Sequence, residues 1–282
     1  MTRASSLIVA VTTLLAAPAL AGPFDLKNLV GKVVDTVKQV QTDNSPQEEQ
    51  NVGRQAAATL LGAAPLMTEG NTLRYVNRVG AWVAAHSDRP ELPWRFAVLD
   101  TGTINAFAAP GGYVLVTRGL LMKLRNEGEL AGVLAHEIAH VQLKHHMKQI
   151  KQQHLLGAAA GSAKTDYSVK AGGQELINFD ARSLYANALS KDDEYAADRV
   201  GVVLAARAGY DPYGLLTVLQ TLDGLKPDDL AMALLFKTHP RPADRLAKLD
   251  PFLAERSDLD ALAGRPDGQA RFLAAMQPSG GE

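Results

Sequence analysis

Residues 134–146 read LAHEIAHVQLKHH and place four histidines and one glutamate in an otherwise apolar stretch. His136 and His140 are four residues apart, so on a helix both imidazoles lie on one face and can reach the same ion. Glu137 would lie beside that ion without ligating it, where it can accept a proton from a metal-activated water. This H-E-x-x-H pattern is typical of zinc hydrolases. Because buried histidines and a glutamate need partners, the pattern favours one zinc ion per subunit over a solvated polar face.

A catalytic zinc ion takes three protein ligands and keeps one position open. His146 stands where the longer H-E-x-x-H-x-x-G-x-x-H pattern has its third histidine, but Leu143, a strong helix former, replaces the glycine. If the helix continues, His146 lies ~9 Å further along the axis than His140. A ligand bond of ~2 Å cannot bridge that gap. His145 fails for the same reason, and we expect both to be surface histidines of a lysine-rich face.

A better third ligand occurs in SKDDEYAADRVG, residues 190–201. Glu194 and Asp198 are four residues apart on one face of a helix that is otherwise rich in alanine and valine. A solvent-facing acidic stripe is the alternative, and Asp192 and Asp193 fit that description. We assign Glu194 to the metal and Asp198 to orienting a ligating imidazole, a known division of labour between two carboxylates.

The elements that must position these residues are mostly helical. Short β-rich runs, RFAVLD (95–100), TINAFA (103–108) and YVLVT (113–117), interrupt the helical pattern, and APGG between the last two indicates a hairpin. Helical periodicity occupies about 69–86 before them and most of the chain from residue 118 onward. This order predicts an α+β, predominantly helical domain with a small antiparallel sheet and an active-site H-E-x-x-H helix.

The start of the chain predicts export. Arg3, the apolar run 7–17 and the triplet Ala19-Leu20-Ala21 together have the form of a secretory signal peptide covering residues 1–21. The apolar run is shorter than the ~20 residues that span a bilayer, and no later run approaches that length. The chain has no cysteine, so we expect neither disulfides nor a lipid-modified cysteine. We therefore predict a periplasmic protein that is not a lipoprotein and has no transmembrane span in its mature form; peripheral membrane contact remains open.

The composition is that of an ordinary globular protein, with 282 residues of which 46% are hydrophobic and 21% charged. A formal net charge of −1 and the lack of any block of like charges argue against a nucleic-acid partner. We divide the chain into the signal peptide, an N-terminal helical segment (22–44), a metallopeptidase domain (45–256) and a C-terminal tail (257–282).

Four segments resemble a family of secreted and membrane zinc metallopeptidases, related to HtpX, BepA, the Oma-type proteases and the CaaX prenyl proteases. They are INAFAAPGGYVLVTRGLL, VLAHEIAHVQLKHH, EYAADRVG and THPRPADR, and they follow the family's order over roughly residues 50–250. The resemblance implies a gluzincin fold of the zincin-like type. It also implies the roles of the main site residues: zinc ligands His136, His140 and Glu194, catalytic base Glu137, and Asp198 as a support that can share in proton transfer.

The same resemblance implies further site residues. His239 in THPRP would lie near the zinc, and the NAFAAPGG segment would be an edge strand along which an extended peptide binds. The substrate-binding residues implied are Asn105, Ala106, Phe107 and Ala108. The chain departs from its relatives because it lacks the transmembrane helices of the HtpX and prenyl-protease branches. We also expect no repeat array of the BepA kind in the residues after about 256, so the assembly role of those relatives does not transfer directly.

These features predict a periplasmic zinc endopeptidase that cleaves unfolded or misfolded polypeptides in protein quality control. A zinc-activated water would attack the peptide carbonyl with Glu137 as general base, and His239 or Arg241 could stabilise the oxyanion. THPRP can equally be a proline-stiffened helix start. One alternative function is a chaperone-like or self-inhibited zincin with little turnover, in which His239 fills the open zinc position. Zinc-dependent hydrolysis of a non-peptide bond is a weaker alternative, since an edge strand suits extended backbones.

Overall fold

Our computed structural model describes most of the chain from residue 45 onward. The described residues are 45–68, 70–159, 169–171, 174–176, 185, 188–226, 229–265 and 267–277. The predicted signal peptide (1–21) and the predicted N-terminal helical segment (22–44) lie outside these residues.

Helices dominate the described part, as the periodicity predicts. The helices are α1 (Pro46–Leu61), α2 (Gly70–Ala85), α3 (Arg118–Leu121), α4 (Glu127–Gln142), α5 (His145–Ala159), α6 (Lys191–Arg207), α7 (Gly214–Asp223), α8 (Ala233–Thr238), α9 (Pro242–Ala254), α10 (Ser257–Asp260) and α11 (Gln269–Met276). The strands are β1 (Arg95–Leu99), β2 (Ala106–Ala109), β3 (Tyr113–Thr117), β4 (Val169–Ala171) and β5 (Gln174–Leu176). The fold is therefore α+β and mainly helical.

The main sheet has the strand order β1-β3-β2. The predicted hairpin is present, because β2 pairs antiparallel with β3. However, β1 pairs parallel with β3, so the sheet is mixed and the expectation of a purely antiparallel sheet was wrong. The chain crosses from β1 to the far edge before the hairpin returns it, which places the β-branched and aromatic run of β3 in the centre. As a result, β2 is an edge strand.

The hairpin turn depends on two glycines. Gly111 and Gly112 have φ angles of 76° and 96°, in the left-handed region that glycine adopts without steric cost. The amide of Gly111 donates to Glu49 Oε1 at 3.2 Å, which joins the turn to α1. The APGG signal in the sequence therefore has a conformational cause.

Helix α4 lies at the centre of the fold. Every residue from 127 to 141 is buried, including three glutamates and two histidines. It contacts α2, α6, α7 and β2. Leu130, Leu134 and Ile138 are fully buried in the main core cluster. The H-E-x-x-H residues thus lie on a helix that the core encloses.

The segment predicted as a C-terminal tail contributes to this core. Phe272 of α11 is 1% exposed and packs edge-on against Tyr75 at a ring-centroid distance of 6.3 Å. Arg271 donates to both carboxylate oxygens of Glu127, in the first turn of α4. None of the helices in the described ranges has the length and apolar composition of a membrane span.

Candidate metal centre

Helix α4 supplies three of the site residues. It begins at the N-cap Asn126, whose side chain accepts a hydrogen bond from the amide of Glu129 at 2.8 Å. One turn separates His136 from His140, and their Nε2 atoms lie 3.0 Å apart. Both rings are buried, with exposures of 3% and 1%. Two imidazole nitrogens therefore face the same enclosed point.

Glu194 reaches this point from the first turn of α6. Its Oε1 lies 3.5 Å from His140 Nε2, and its Oε2 lies 3.8 Å from His136 Nε2. The side chain is completely buried. Neither carboxylate oxygen has a hydrogen-bond partner among the described residues. An enclosed carboxylate without a donor is costly unless a cation accompanies it.

A close approach of two helices brings Glu194 and Asp198 to the histidines. Gly201 lies on the same face of α6 as these two carboxylates, at positions i, i+4 and i+7 of the helix. A Cβ at Gly201 would lie 3.0 Å from the Cα and the backbone nitrogen of His136. The missing side chain therefore lets α6 pack directly on the backbone of α4.

His239 completes a group of four. It follows α8 as its C-cap residue, and its Nδ1 lies 2.9 Å from the hydroxyl of Thr238. Its Nε2 is 3.9 Å from Glu137 Oε1. The group consists of His136, His140, Glu194 and His239, with one ligand atom of each within 4.8 Å of all the others.

The charge states of this group suit a divalent metal ion. Burial lowers the pKa of His136 and brings the pKa of His140 well below its ordinary value, so both imidazoles are neutral, as metal binding requires. Burial raises the pKa of Glu194 well above its ordinary value. A bound cation would stabilise the ionised form of this carboxylate. The residues present therefore fit a metal ion.

Glu137 lies beside the group. Burial raises its pKa to about 8. A cavity next to the metal group is lined by Glu137, His140 and His239, and by Ala106 and Ala108 of β2. A carboxylate that titrates near neutral pH beside a cavity is suited to accept and return a proton.

Behind His136, Asp198 and Arg245 form a buried ion pair. His136 Nδ1 lies 2.9 Å from Asp198 Oδ1. The guanidinium of Arg245 donates to both oxygens of Asp198, with an Nε–Oδ2 distance of 3.0 Å. Burial alone would raise the pKa of Asp198, but Arg245 and the contact with His136 bring it below its ordinary value. Asp198 is therefore a permanent anion that can hold the Nδ1 proton of His136.

Arg245 was not predicted from the sequence, which suggested Arg241 only for a different role, oxyanion stabilisation. Arg241 is exposed and lies over the ring of Phe236, 5.9 Å from its centroid. Arg245 is one turn further along and only 5% exposed. The sequence held one indication of its role: a buried Asp198 requires a nearby cation, and Arg245 lies on the helix that contains the end of THPRP.

The structure corrects the expectation for the two histidines after the motif. Helix α4 does not continue through residue 146: it ends at Gln142, and Lys144 has a φ of 55°. Arg89 contributes to this ending because it donates to the carbonyl of Val141 at 3.2 Å. His145 and His146, expected at the surface, are 4% and 8% exposed.

The turn at Lys144 gives the two histidines different surroundings. His145 Nδ1 lies 2.9 Å from His140 Nδ1. The ring of His146 is 6.1 Å from that of His140, and His146 does not belong to the group of four ligand atoms.

The predicted substrate strand lies at the edge of the sheet beside this cavity. Ala106, Phe107 and Ala108 are 4%, 6% and 1% exposed. The hydroxyl of Tyr185 donates to the Ala108 carbonyl at 3.0 Å, so part of the outer edge is covered in this conformation. Asn105 is fully buried; its side-chain oxygen accepts from the Ala106 amide, and its Nδ2 donates to Thr238 Oγ1. Asn105 therefore joins β2 to the segment that carries His239.

Comparison with known proteins agrees with this geometry. Residues 71–252 match the model of peptidase family M48. The chain is 29% identical over 261 residues to the beta-barrel assembly-enhancing protease of Escherichia coli K12, an alignment that covers 86% of this chain and 50% of the relative.

Two further relatives are metalloproteases by name. The chain is 32% identical over 187 residues to the mitochondrial metalloendopeptidase OMA1 of Schizosaccharomyces pombe, covering 65% of this chain and 54% of the relative. It is 31% identical over 155 residues to the metalloprotease YcaL of Escherichia coli K12, covering 54% and 59%. The chain spans about half the length of the curated relatives it matches.

Proposed function

This chain belongs to peptidase family M48, and we propose that it is a zinc-dependent endopeptidase that cleaves unfolded or misfolded polypeptides. The observation that carries the proposal is the buried Glu194 carboxylate, which lies against the Nε2 atoms of His136 and His140 without a hydrogen-bond donor of its own. Two histidines and one glutamate form the protein ligand set of catalytic zinc sites that keep a position open for water or substrate.

In the proposed mechanism, Glu137 is the general base. A bound zinc ion would supply Lewis acidity, which activates a water molecule and polarises the scissile carbonyl. Glu137 accepts the proton of the attacking water and returns it to the leaving amine, for which a pKa near neutrality is favourable. Asp198, clamped by Arg245, keeps the Nδ1 proton on His136 and so leaves Nε2 free to bind the metal.

We propose that the substrate lies along β2. In an antiparallel pair, alternate residues direct their backbone groups towards the partner strand and away from it. The Ala108 carbonyl accepts a hydrogen bond from Tyr185, so Ala108 is a residue whose backbone groups point outward. An extended peptide could pair with these groups once Tyr185 withdraws. Such pairing requires an accessible, extended backbone, which unfolded chains offer and folded proteins do not.

We propose that the protein acts in the bacterial periplasm after removal of residues 1–21. The support is the sequence pattern of a charged start, an apolar run and the Ala19-Leu20-Ala21 triplet. N-terminal sequencing of the exported protein should return Gly22, and a product that retains Met1 would contradict the assignment.

A self-inhibited state is a second candidate, because His239 belongs to the same group as the three proposed ligands. Four protein ligands close a zinc site and leave no position for water. If His239 ligates the metal, His239→Ala should keep its zinc and cleave unfolded substrate several-fold faster than the wild type. Slower cleavage with full zinc content would instead assign His239 to oxyanion stabilisation.

The proposed activity can be tested with purified full-length protein. Unfolded casein should be cleaved, a metal chelator should stop cleavage, and added Zn²⁺ should restore it. A stably folded protein of similar length should resist cleavage until it is denatured. Equal cleavage of native and denatured forms, or cleavage that persists in the chelator, would contradict the proposal.

A further inference from the structure

We propose that His145 positions His140 for metal binding, by accepting the Nδ1 proton of His140 in a hydrogen bond. The inference rests on the proposed function, because the ion concerned is the zinc of the peptidase site. It assigns a role to a residue outside the group of four ligand atoms. In this role His145 would not touch the metal or the substrate.

The geometry fixes the direction of this hydrogen bond. The Nδ1 atoms of His140 and His145 are 2.9 Å apart, so one donates and the other accepts. His140 Nε2 faces His136 Nε2 at 3.0 Å and Glu194 Oε1 at 3.5 Å, which makes it the nitrogen on the metal side. A neutral imidazole carries one proton, and a ligating nitrogen must be free of it. The proton of His140 therefore lies on Nδ1, and His145 Nδ1 is the acceptor.

The remaining nitrogen of His145 faces a carboxylate. When Nδ1 accepts, the proton of His145 lies on Nε2, which is 3.7 Å from Asp193 Oδ1. This distance exceeds that of a direct hydrogen bond, but the nearby negative charge favours a proton on the facing nitrogen. Asp193 is itself held by Lys148, whose Nζ lies 2.7 Å from the same oxygen. The His145 tautomer that can accept a hydrogen bond from His140 is thus the one that Asp193 favours.

Each of the two metal-facing histidines of α4 consequently has a polar partner at its Nδ1 atom, on the side of the ring away from the metal group. His136 contacts Asp198 directly, whereas His140 reaches Asp193 through the ring of His145. Such partners fix the tautomer and the ring orientation of a ligand, and their loss typically costs 10–100-fold in metal affinity.

The backbone is bent to place His145 here. Lys144, between α4 and α5, has a φ of 55°, a conformation that side-chain-bearing residues adopt at some cost. Helix α5 is then anchored by Met147 and Ile150, which are 2% and 3% exposed. A straight helix would have carried His145 away from His140. The turn at Lys144 therefore brings His145 into contact with His140.

His146 offers a matched control. It is the next residue, it is also buried, and its ring centroid is 6.1 Å from that of His140. The structure shows no hydrogen bond between these two described rings. A change at His146 therefore tests whether disturbing this part of the core is enough to weaken metal binding.

The test is a Zn²⁺ affinity measurement by chelator competition on metal-stripped full-length protein. We expect His145→Phe, which fills the space without an acceptor, to bind Zn²⁺ about 10–100-fold more weakly than the wild type. His145→Asn should stay within a few-fold, because its Oδ1 can replace the Nδ1 acceptor. His146→Phe should also stay within a few-fold. The melting temperature of each metal-free variant reports any general loss of folding.

Asp193→Asn provides a second measurement should His145→Phe fail to fold, and we expect it to bind Zn²⁺ about tenfold more weakly than the wild type. Wild-type affinity in Asp193→Asn would then overturn the proposal. Wild-type affinity in His145→Phe would overturn the proposal. An equally large loss in His146→Phe or His145→Asn would overturn it too, because packing rather than the hydrogen bond would then be responsible. If the wild type itself binds no zinc, the proposed function fails. If the wild type and His145→Phe bind zinc equally well, only the role given to His145 fails.

Discussion

Arg245 and Asp198 form a bidentate ion pair directly behind His136, and both side chains are at least 94% buried. Helices α9 and α6 are joined at this point. The pair couples the stability of the fold to the metal centre, because the Asp198 oxygen that faces Arg245 Nη2 also lies 2.9 Å from His136 Nδ1.

We therefore expect Arg245→Met to destabilise the protein. Removing one partner of a buried pair leaves an uncompensated charge and typically costs ~3–5 kcal/mol in the free energy of unfolding. Denaturant unfolding of the metal-free variant measures this loss, and its zinc affinity should fall as well. Arg241→Met is the matched control, since Arg241 is exposed, and should change stability by less than ~0.5 kcal/mol. Equal effects of the two variants would contradict the role given to Arg245.

Glu194→Gln should have opposite effects on metal binding and on metal-free stability. The variant should lose most of its zinc because an amide is a poor ligand for this ion. Without metal it should melt at a higher temperature than the wild type, because Glu194 is buried without a donor and its pKa is raised by burial. Metal analysis and thermal melting of the same preparations test both parts. A variant that keeps its zinc, or that melts lower than the metal-free wild type, would refute this account of Glu194.

The deprotonation of Glu137 should lower the stability of the metal-free protein as pH rises from about 6.5 to 8. Glu137 has a folded-state pKa of about 8 against an ordinary value of 4.5, so in this window the folded state holds a proton that the unfolded state has lost. Stability then falls with rising pH. The buried histidines act in the opposite direction at the start of this window, because about half of the unfolded-state imidazoles are protonated near pH 6.5 while the folded ones, with lowered pKa values, are neutral. The comparison with Glu137→Gln cancels their contribution. In denaturant titrations, the free energy of unfolding should fall less steeply with pH for Glu137→Gln than for the wild type. Identical slopes would contradict the raised pKa of Glu137.

Ala108→Pro should weaken substrate binding and leave zinc binding intact. The Ala108 carbonyl faces Tyr185 rather than β3, so its amide also points outward, and proline would remove a donor that the substrate needs but the sheet does not. The Michaelis constant for an extended peptide should rise, while zinc content and melting temperature stay near wild type. Ala108→Ser, which keeps the amide, is the control. An unchanged Michaelis constant in Ala108→Pro would argue that β2 has a purely structural use.

The local part of the site could be predicted from the sequence. The spacings of His136 to His140 and of Glu194 to Asp198 each place two side chains on one helical face. The two glycines of APGG predict a turn. These features depend on residues within one or two turns of each other, where helix geometry and steric preference act directly. The hairpin and the helical character of both motif segments followed from the same local rules.

The features that were missed depend on contacts distant in sequence. Helix α4 ends at Gln142 although Leu143 favours helix, and the Val141 carbonyl at this end is bonded by Arg89, 52 residues earlier in the chain. The partner of Asp198 is 47 residues later. The parallel pairing of β1 with β3 likewise depends on where the hairpin docks. Intrinsic propensity is a weak guide wherever tertiary contacts of this kind decide the outcome.

The central claim is that this chain hydrolyses peptide bonds with a zinc ion held by His136, His140 and Glu194 and with Glu137 as the base. The most direct test compares zinc content and cleavage of unfolded casein for the wild type and Glu137→Gln, whose side chains are similar in shape while only the carboxylate is a base. The account predicts about one zinc per chain in both proteins, with cleavage by the wild type and a loss of at least ~10²-fold in the variant. Zinc-loaded Glu137→Gln that cleaves casein as fast as the wild type would contradict it.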